Sequence, residues 1–380
     1  MKVILVIQFL LITTFGGQLL SQQTTNIPHT EQEWFTLGKI NQKANLLEDA
    51  IKCYTEVLAR NPSNAKAYFN RGTAYESLGK FRNAIADFKA EVNINTNDAE
   101  AFEKLGDLSD EIGQTGESLT YYSNAIRIQP TENSLLNRSI GYLKIGYYKE
   151  ALMDLNQVLS NNPNNHAAYA TKGTIYFELD QTNDAFKMYK KALTLKPDNP
   201  YYISNLGKLY YKTGSPEHAI TFLERAIDII PDDAFYLEEA FCYLKTGDTE
   251  KAHNNAAKAL FNNPQDHEIR YLTGLIFLEE KKLDEAVEFF TLAINANSTI
   301  PEYYLKRADA RYKNGEYAGA AADAKIAESF DKLNLEEEVN DLLSLVNQKS
   351  AKHIHSNRNQ MTAISTTTEE NESFDENDFD

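Results

Sequence analysis

Residues 166–199 read HAAYATKGTIYFELDQTNDAFKMYKKALTLKPDN, and the positions of their small, aromatic and helix-breaking residues decide the fold. Tyr169 and Tyr176 lie two helical turns apart on one face, with the small Gly173 between them. Ala185, Tyr189 and Ala192 repeat that spacing on a second helical stretch, so the two stretches can approach closely with rings filling the remaining space. Pro197 stops the second stretch and turns the chain. The stretch therefore reads as one helical hairpin of 34 residues.

The same pattern recurs on both sides. Small residues stand at Ala50, Ala84, Ser118, Ala151, Ala185, Ala219, Ala252, Ala286 and Ala320, with gaps of 33 or 34. A fixed period of this length marks a stacked array of supersecondary units. Counting each small residue as position 20 defines nine units: 31–64, 65–98, 99–131, 132–165, 166–199, 200–232, 233–266, 267–300 and 301–334. Position 8 is then Gly38, Gly72, Gly106, Ser139, Gly173, Gly207, Ala240, Gly274 and Ala308. Position 15 is Gly79, Gly113, Gly146, Gly214, Gly247 and Gly315 in six units. Twelve of the seventeen glycines fall at these two positions, so glycine here is positional rather than a mark of linkers. At position 15 it can take the left-handed conformation that ends a first helix, and the polar residues after it are expected to start the second. Six of the ten prolines occupy position 32: Pro62, Pro130, Pro163, Pro197, Pro231 and Pro264.

Tyr169, Gly173, Tyr176, Ala185, Tyr189, Ala192 and Pro197 together resemble the tetratricopeptide repeat, and the resemblance covers 31–334. It implies an all-α fold, a right-handed superhelical solenoid of helix-turn-helix repeats. Departures collect near the end of the array: Arg270 replaces the aromatic at position 4, and Arg311 and Lys332 replace the position 11 aromatic and the proline. A terminal repeat lacks one neighbour and so is freer to depart. Residues 335–350 place Leu335, Val339, Leu342, Leu343 and Val346 on one stripe, which reads as a C-terminal capping helix.

Outside the array, Lys2 followed by an apolar run from Val3 to Ile12 reads as a signal peptide over 1–21, cleaved near Ser21, with 22–30 as linker. That predicts an exported protein, periplasmic or secreted, with no integral membrane segment after the signal peptide. Sequons at Asn137, Asn297 and Asn371 would matter only in a eukaryotic secretory pathway. Residues 351–380 carry two positive and seven negative side chains and read as a disordered acidic tail.

Composition excludes several classes. The 55 acids against 38 basic residues give a formal charge of -17, which argues against nucleic acid or an anionic membrane as partner. Cys53 and Cys242 lie six repeats apart in an ordered stack, too far for the Cα separation of about 7 Å that a disulfide needs, so two free thiols are expected. His353 and His355 form the one close histidine pair, and two donors fall short of the three or four ligands a metal site needs. No phosphate loop, nucleophile elbow or cysteine-histidine signature is present, so neither catalysis nor a cofactor is expected.

What the resemblance implies about function is protein or peptide binding on the concave face, lined by positions 2, 5, 9, 12 and 13 of each first helix. Its chaperone-clamp mode would use Lys39 and Asn70, but Phe35 and Glu100 stand where lysines are required. Two features of that face are candidates. The third repeat presents an acidic wall, Glu100, Glu103, Asp107, Asp110 and Glu111, either a docking site for basic segments or a solvated helix face. Repeats 4 to 8 present an apolar stripe: Leu136, Ile140, Leu143, Phe177, Tyr201, Tyr211, Leu237, Phe241, Leu244, Tyr271, Leu275 and Leu278. Exposed apolar patches mark interaction surfaces, while burial by curvature or self-association is the alternative. The expectation is a non-catalytic scaffold in cell-envelope assembly or complex tethering. Its alternatives are an accessory subunit or activator of a peptidoglycan or polysaccharide enzyme, and a self-assembling homo-oligomer.

Overall fold

The computed structural model describes residues 30–330, 337 and 339–349; the expected signal peptide, most of the linker, Leu335 and the acidic tail with its histidine pair lie outside the described residues. Eighteen helices of 13 or 14 residues form nine successive pairs, and there is no strand among the described residues. The chain divides into two units, Met1–Leu195 and Lys196–Asp380.

The first unit holds α1 (Glu31–Lys43), α2 (Leu47–Arg60), α3 (Ala65–Ser77), α4 (Phe81–Ile94), α5 (Ala99–Glu111), α6 (Thr115–Ile128), α7 (Glu132–Lys144), α8 (Tyr148–Asn161), α9 (His166–Glu178) and α10 (Thr182–Leu195). The second holds α11 (Pro200–Lys212), α12 (Pro216–Ile229), α13 (Asp233–Thr246), α14 (Thr249–Asn262), α15 (His267–Glu279), α16 (Leu283–Ala296), α17 (Pro301–Lys313) and α18 (Tyr317–Phe330). Residues 339–349 are helical, and Val339 is buried in the same core as Tyr304, Ala324 and Ala327.

Each odd-numbered helix starts where a side chain can hold its free amides. Thr30, Asn64, Asp98, Thr131, Asn165, Asn199, Asp232 and Asp266 all accept such hydrogen bonds. The ninth begins on Pro301, whose fixed φ suits a first helical turn. The second helices behave differently from the expectation that polar side chains start them. Asp248 caps α14, but α2, α4, α6, α8, α12 and α16 start without a side-chain hydrogen bond.

The backbone does that work instead. In all nine repeats the N–H of position 16 donates to the carbonyl of position 11 at 2.7–2.9 Å, across a left-handed residue at position 15. Six of those residues are the glycines, and the other three are Asn45, Asp180 and Lys281, with φ of 57°, 57° and 61°. The turn geometry is therefore uniform although its residue is not. A left-handed conformation costs a residue with a Cβ about 1–2 kcal/mol, and Asn and Asp tolerate it best. Lys281→Gly relieves that strain while returning up to about 1 kcal/mol of entropy to the unfolded chain. The expected net gain is about 0.5 kcal/mol, read as a higher urea midpoint, with Asn45→Gly as the control that gains nothing.

Helix approach within a hairpin depends on a pair of positions, 8 and 24. A Cβ built on Gly106 would stand 2.5 Å from the Tyr122 ring, and one on Gly173 would stand 2.5 Å from Tyr189. Gly38, Gly72 and Gly274 face Tyr54, Phe88 and Phe290 in the same way, and Gly207 faces Leu223. Where position 8 is alanine, at Ala240 and Ala308, position 24 shrinks to Ala256 and Ala324, and all four are buried. Volume is conserved across the pair, as close packing requires.

Repeats 2, 4 and 9 add a polar staple. Arg71 holds both oxygens of Asp87 at 2.7 Å, Arg138 those of Asp154 at 2.8 Å, and Arg307 those of Asp323 at 2.7 and 2.8 Å. The remaining guanidinium nitrogen of each reaches a hydroxyl of the preceding repeat, Thr55, Ser123 or Thr291, at 3.0 Å. One arginine thus ties a hairpin together and ties it to its predecessor, in the bidentate geometry that lysine cannot supply. Both cysteines are free and buried; burial pushes the Cys242 thiol up to about 12, which keeps it protonated and unreactive.

Candidate functional site

The acidic wall is mostly a seam between repeats. Positions 5, 9 and 12 of α5 face α7, and their carboxylates are taken up there. Glu103 accepts from the hydroxyls of Thr131 and Ser134. Asp107 accepts from Tyr122 at 2.7 Å and Asn137 at 3.0 Å, and Asp110 pairs with Lys144 at 2.7 Å. Burial pushes the Asp107 carboxyl above its ordinary value, although the hydrogen bonds from Tyr122 and Asn137 pull it down. Glu100, Asp107 and Glu111 stay exposed as residues, but only Glu100 and Glu111 make no hydrogen bond or ion pair to a neighbouring side chain among the described residues. Two unengaged carboxylates thus remain from five.

The apolar stripe falls into two parts that behave differently. In the first unit Leu136, Ile140, Leu143 and Phe177 are half-buried, and Leu136 and Leu143 pack on the core of Leu135, Leu155 and Ile175. In the second unit Leu237 and Tyr271 are core residues and not open surface. The physical reason is their register: position 5 lies against the following first helix. Tyr271 stacks on Tyr303 of α17 with centroids 4.7 Å apart and donates to Glu302 at 2.6 Å. Burial, then that hydrogen bond, raises the Tyr271 phenol far above its ordinary value, so it stays protonated. Phe241 is half-buried between two cores. Tyr201, edge-on to Phe235, is 53% exposed, and Tyr211 is also exposed.

Three stripe residues do converge. Leu244 on α13 with Leu275 and Leu278 on α15 line an open groove of about 570 Å3 bordered by α17. Lys245, Lys306 and Lys313 border it, against Glu279 and Asp309. Lys313 is paired with Asp309 at 2.9 Å. Lys245 and Lys306 make no ion pair among the described residues. The three leucines sit in a lining that is otherwise mostly polar, so the two unengaged ammonium groups can attract the acids of an extended segment while the leucines cover its apolar side chains. The lysines were not singled out in the sequence, because their sequence positions are far apart and only the stacking of α13 and α17 brings them to one rim. A second depression, of about 470 Å3, lies beside Tyr236, Lys258 and the exposed Phe261. No cluster of three or more metal-ligating side chains exists among the described residues, and no helix there is long and apolar enough to cross a membrane.

Comparison with known sequences and structures bears on the same repeats. The profile described as tetratricopeptide repeat matches residues 35–102 and 242–301, a second of that description matches 201–233, and one described as TPR repeat matches 173–214. The chain is 25% identical over 154 residues to tetratricopeptide repeat protein 13 of Homo sapiens, a stretch covering 39% of this chain and 18% of that protein. It is 24% identical over 329 residues to the BBSome complex member BBS4 of Bos taurus, covering 86% of this chain and 55% of that protein. The matches thus span less than two thirds of either relative. Hsp70-Hsp90 organizing protein 1 of Glycine max is 31% identical over 118 residues, 31% of this chain and 21% of that protein. A chain from the APC/C hetero-tetramer Cut9-Hcn1 superimposes with a TM-score of 0.60 at 14% identity, over 83% of this chain and 76% of that one. A tetratricopeptide repeat protein of Parabacteroides merdae ATCC 43184 gives 0.51 at 18% identity, over 65% and 98%. At such identities the likeness is one of fold.

Proposed function

The chain is an array of tetratricopeptide repeats, a kind of array that mediates protein–protein interaction, and from that premise we propose that it is a non-catalytic scaffold whose groove on α13, α15 and α17 takes an extended peptide. The peptide's chemistry is apolar side chains flanked by acids. One observation carries this reading: leucines from two repeats meet unengaged lysines at one groove, in a chain whose formal charge is -17. We further propose that the scaffold works outside the cytoplasm, in envelope assembly or the tethering of a complex, supported by the signal-like pattern of residues 1–21. Amino-terminal sequencing of the protein from its native cells should find a start near residue 22, and an intact Met1 would sink that part.

The groove is tested by selecting peptides from a random library on the immobilised full chain and measuring the winners by fluorescence anisotropy. Lys245→Glu/Lys306→Glu is expected to weaken them about tenfold and to flatten their salt dependence, since each exposed charge contact is worth about 0.2–1 kcal/mol and reversal counts it twice. Phe261→Ser, at the other depression, should leave binding unchanged. Serine at Phe241 would confound the test, because that ring supports two cores. Selected peptides indifferent to the lysine reversal would place the binding surface elsewhere.

A further inference from the structure

We propose that residues 373–380 of this same chain, SFDENDFD, dock in the groove of Leu244, Leu275 and Leu278 and occupy it until a partner displaces them. The inference rests on the groove being a peptide site and adds its resident occupant. The segment has the chemistry that the groove selects: two phenylalanines, Phe374 and Phe379, interleaved with Asp375, Glu376, Asp378 and Asp380. Lys245 and Lys306, which make no ion pair among the described residues, offer its acids two cationic groups at the rim of the groove.

Chain length allows it. Phe374 and Phe379 are five residues apart, so in an extended chain their rings point to opposite sides and one ring at a time meets the leucines. Leu342 and Leu343, on the helix from which the tail departs, pack on the same core as Leu275 and Leu278 of the groove. The helix of residues 339–349 and the groove thus share one core, and the 24 residues between Lys349 and Phe374 could span up to about 80 Å at full extension.

The test uses a fluorescein-labelled peptide of residues 369–380 as probe and the full-length chain as receptor. A tethered segment competes at an effective concentration of order mM, so Phe374→Ala/Phe379→Ala should bind the probe at least about tenfold tighter than the native chain. Adding Lys245→Glu/Lys306→Glu to that variant should remove the gain. Equal affinity for native chain and tail variant, or no binding to either, overturns the proposal. A library-selected peptide that still binds lysine-dependently, and equally to both chains, would leave the groove standing and remove its occupant. Loss of that peptide's lysine dependence would remove the groove too. If light scattering finds a native dimer that the tail variant converts to monomer, the segment docks on a second copy and the intramolecular arrangement is wrong.

Discussion

Replacing Arg138 with alanine is expected to cost the fourth repeat about 3–5 kcal/mol, the largest loss we anticipate from a single change in this chain. Asp154 is buried, and both of its oxygens are held by that one guanidinium at 2.8 Å. Removing the cation leaves an uncompensated charge in a low-dielectric site, and Ser123 in the preceding repeat loses its partner as well. The pair itself need not be stabilising, because desolvating two ions offsets most of their attraction. The chain supplies the comparison. At the same two positions repeat 6 carries Leu206, which is buried, and Phe222, which is half-buried. Arg138→Leu/Asp154→Phe should therefore recover most of what either single change loses. Stacked repeats do not unfold all-or-none, so the measurement is hydrogen exchange across α7 and α8 alongside the urea midpoint. If the double variant were as unstable as Arg138→Ala, the unpaired charge would not be the cause.

A change in the opposite direction is expected at Glu91. This residue stands at position 27, where the other eight repeats carry alanine or valine. It is 2% exposed, and its Oε2 has no hydrogen-bond partner. Burial, and next the charge of Asp98, push its carboxyl up from 4.5 to about 7. A folded pKa above the unfolded one means that the folded state holds its proton longer. Stability is then undiminished below about pH 4.5 and falls as pH rises towards 7, above which the full penalty stands. Integrated over that window and discounted for solvent screening, the penalty is about 2 kcal/mol. Glu91→Gln should accordingly be more stable than the native chain by about 2 kcal/mol at pH 8, with the difference closing towards pH 4.5. A difference independent of pH would mean that shape rather than ionisation decides the site.

Both predictions turn on residues that the periodic reading passes over, and the reason is instructive. Ala185, Gly173 and Pro197 announce themselves because a hairpin imposes the same local demand in every copy, so the residues recur. Arg138 with Asp154 recurs in three repeats of nine, sixteen residues apart each time, a signal present in the sequence but hidden by its irregular use. Lys281 and Asp180 show the converse. They carry no glycine signal, yet their backbone is as left-handed as that of Gly214, because the carbonyl at position 11 demands it regardless of side chain.

The sequence by itself determined the period, the helical hairpin, the small residues between helices and the proline turns, since all of these are satisfied within about thirty residues of chain. Only the tertiary structure decided which first-helix side chains remain on the surface. Tyr271 and Leu237 share the register of an open stripe but lie beneath the next helix, and Glu103, Asp107 and Asp110 are committed to α7. Lys245, Leu275 and Lys306, separated by about thirty residues at each step, become one groove. Exposure depends on what the neighbouring repeat puts against a residue, and a local pattern carries no record of that neighbour.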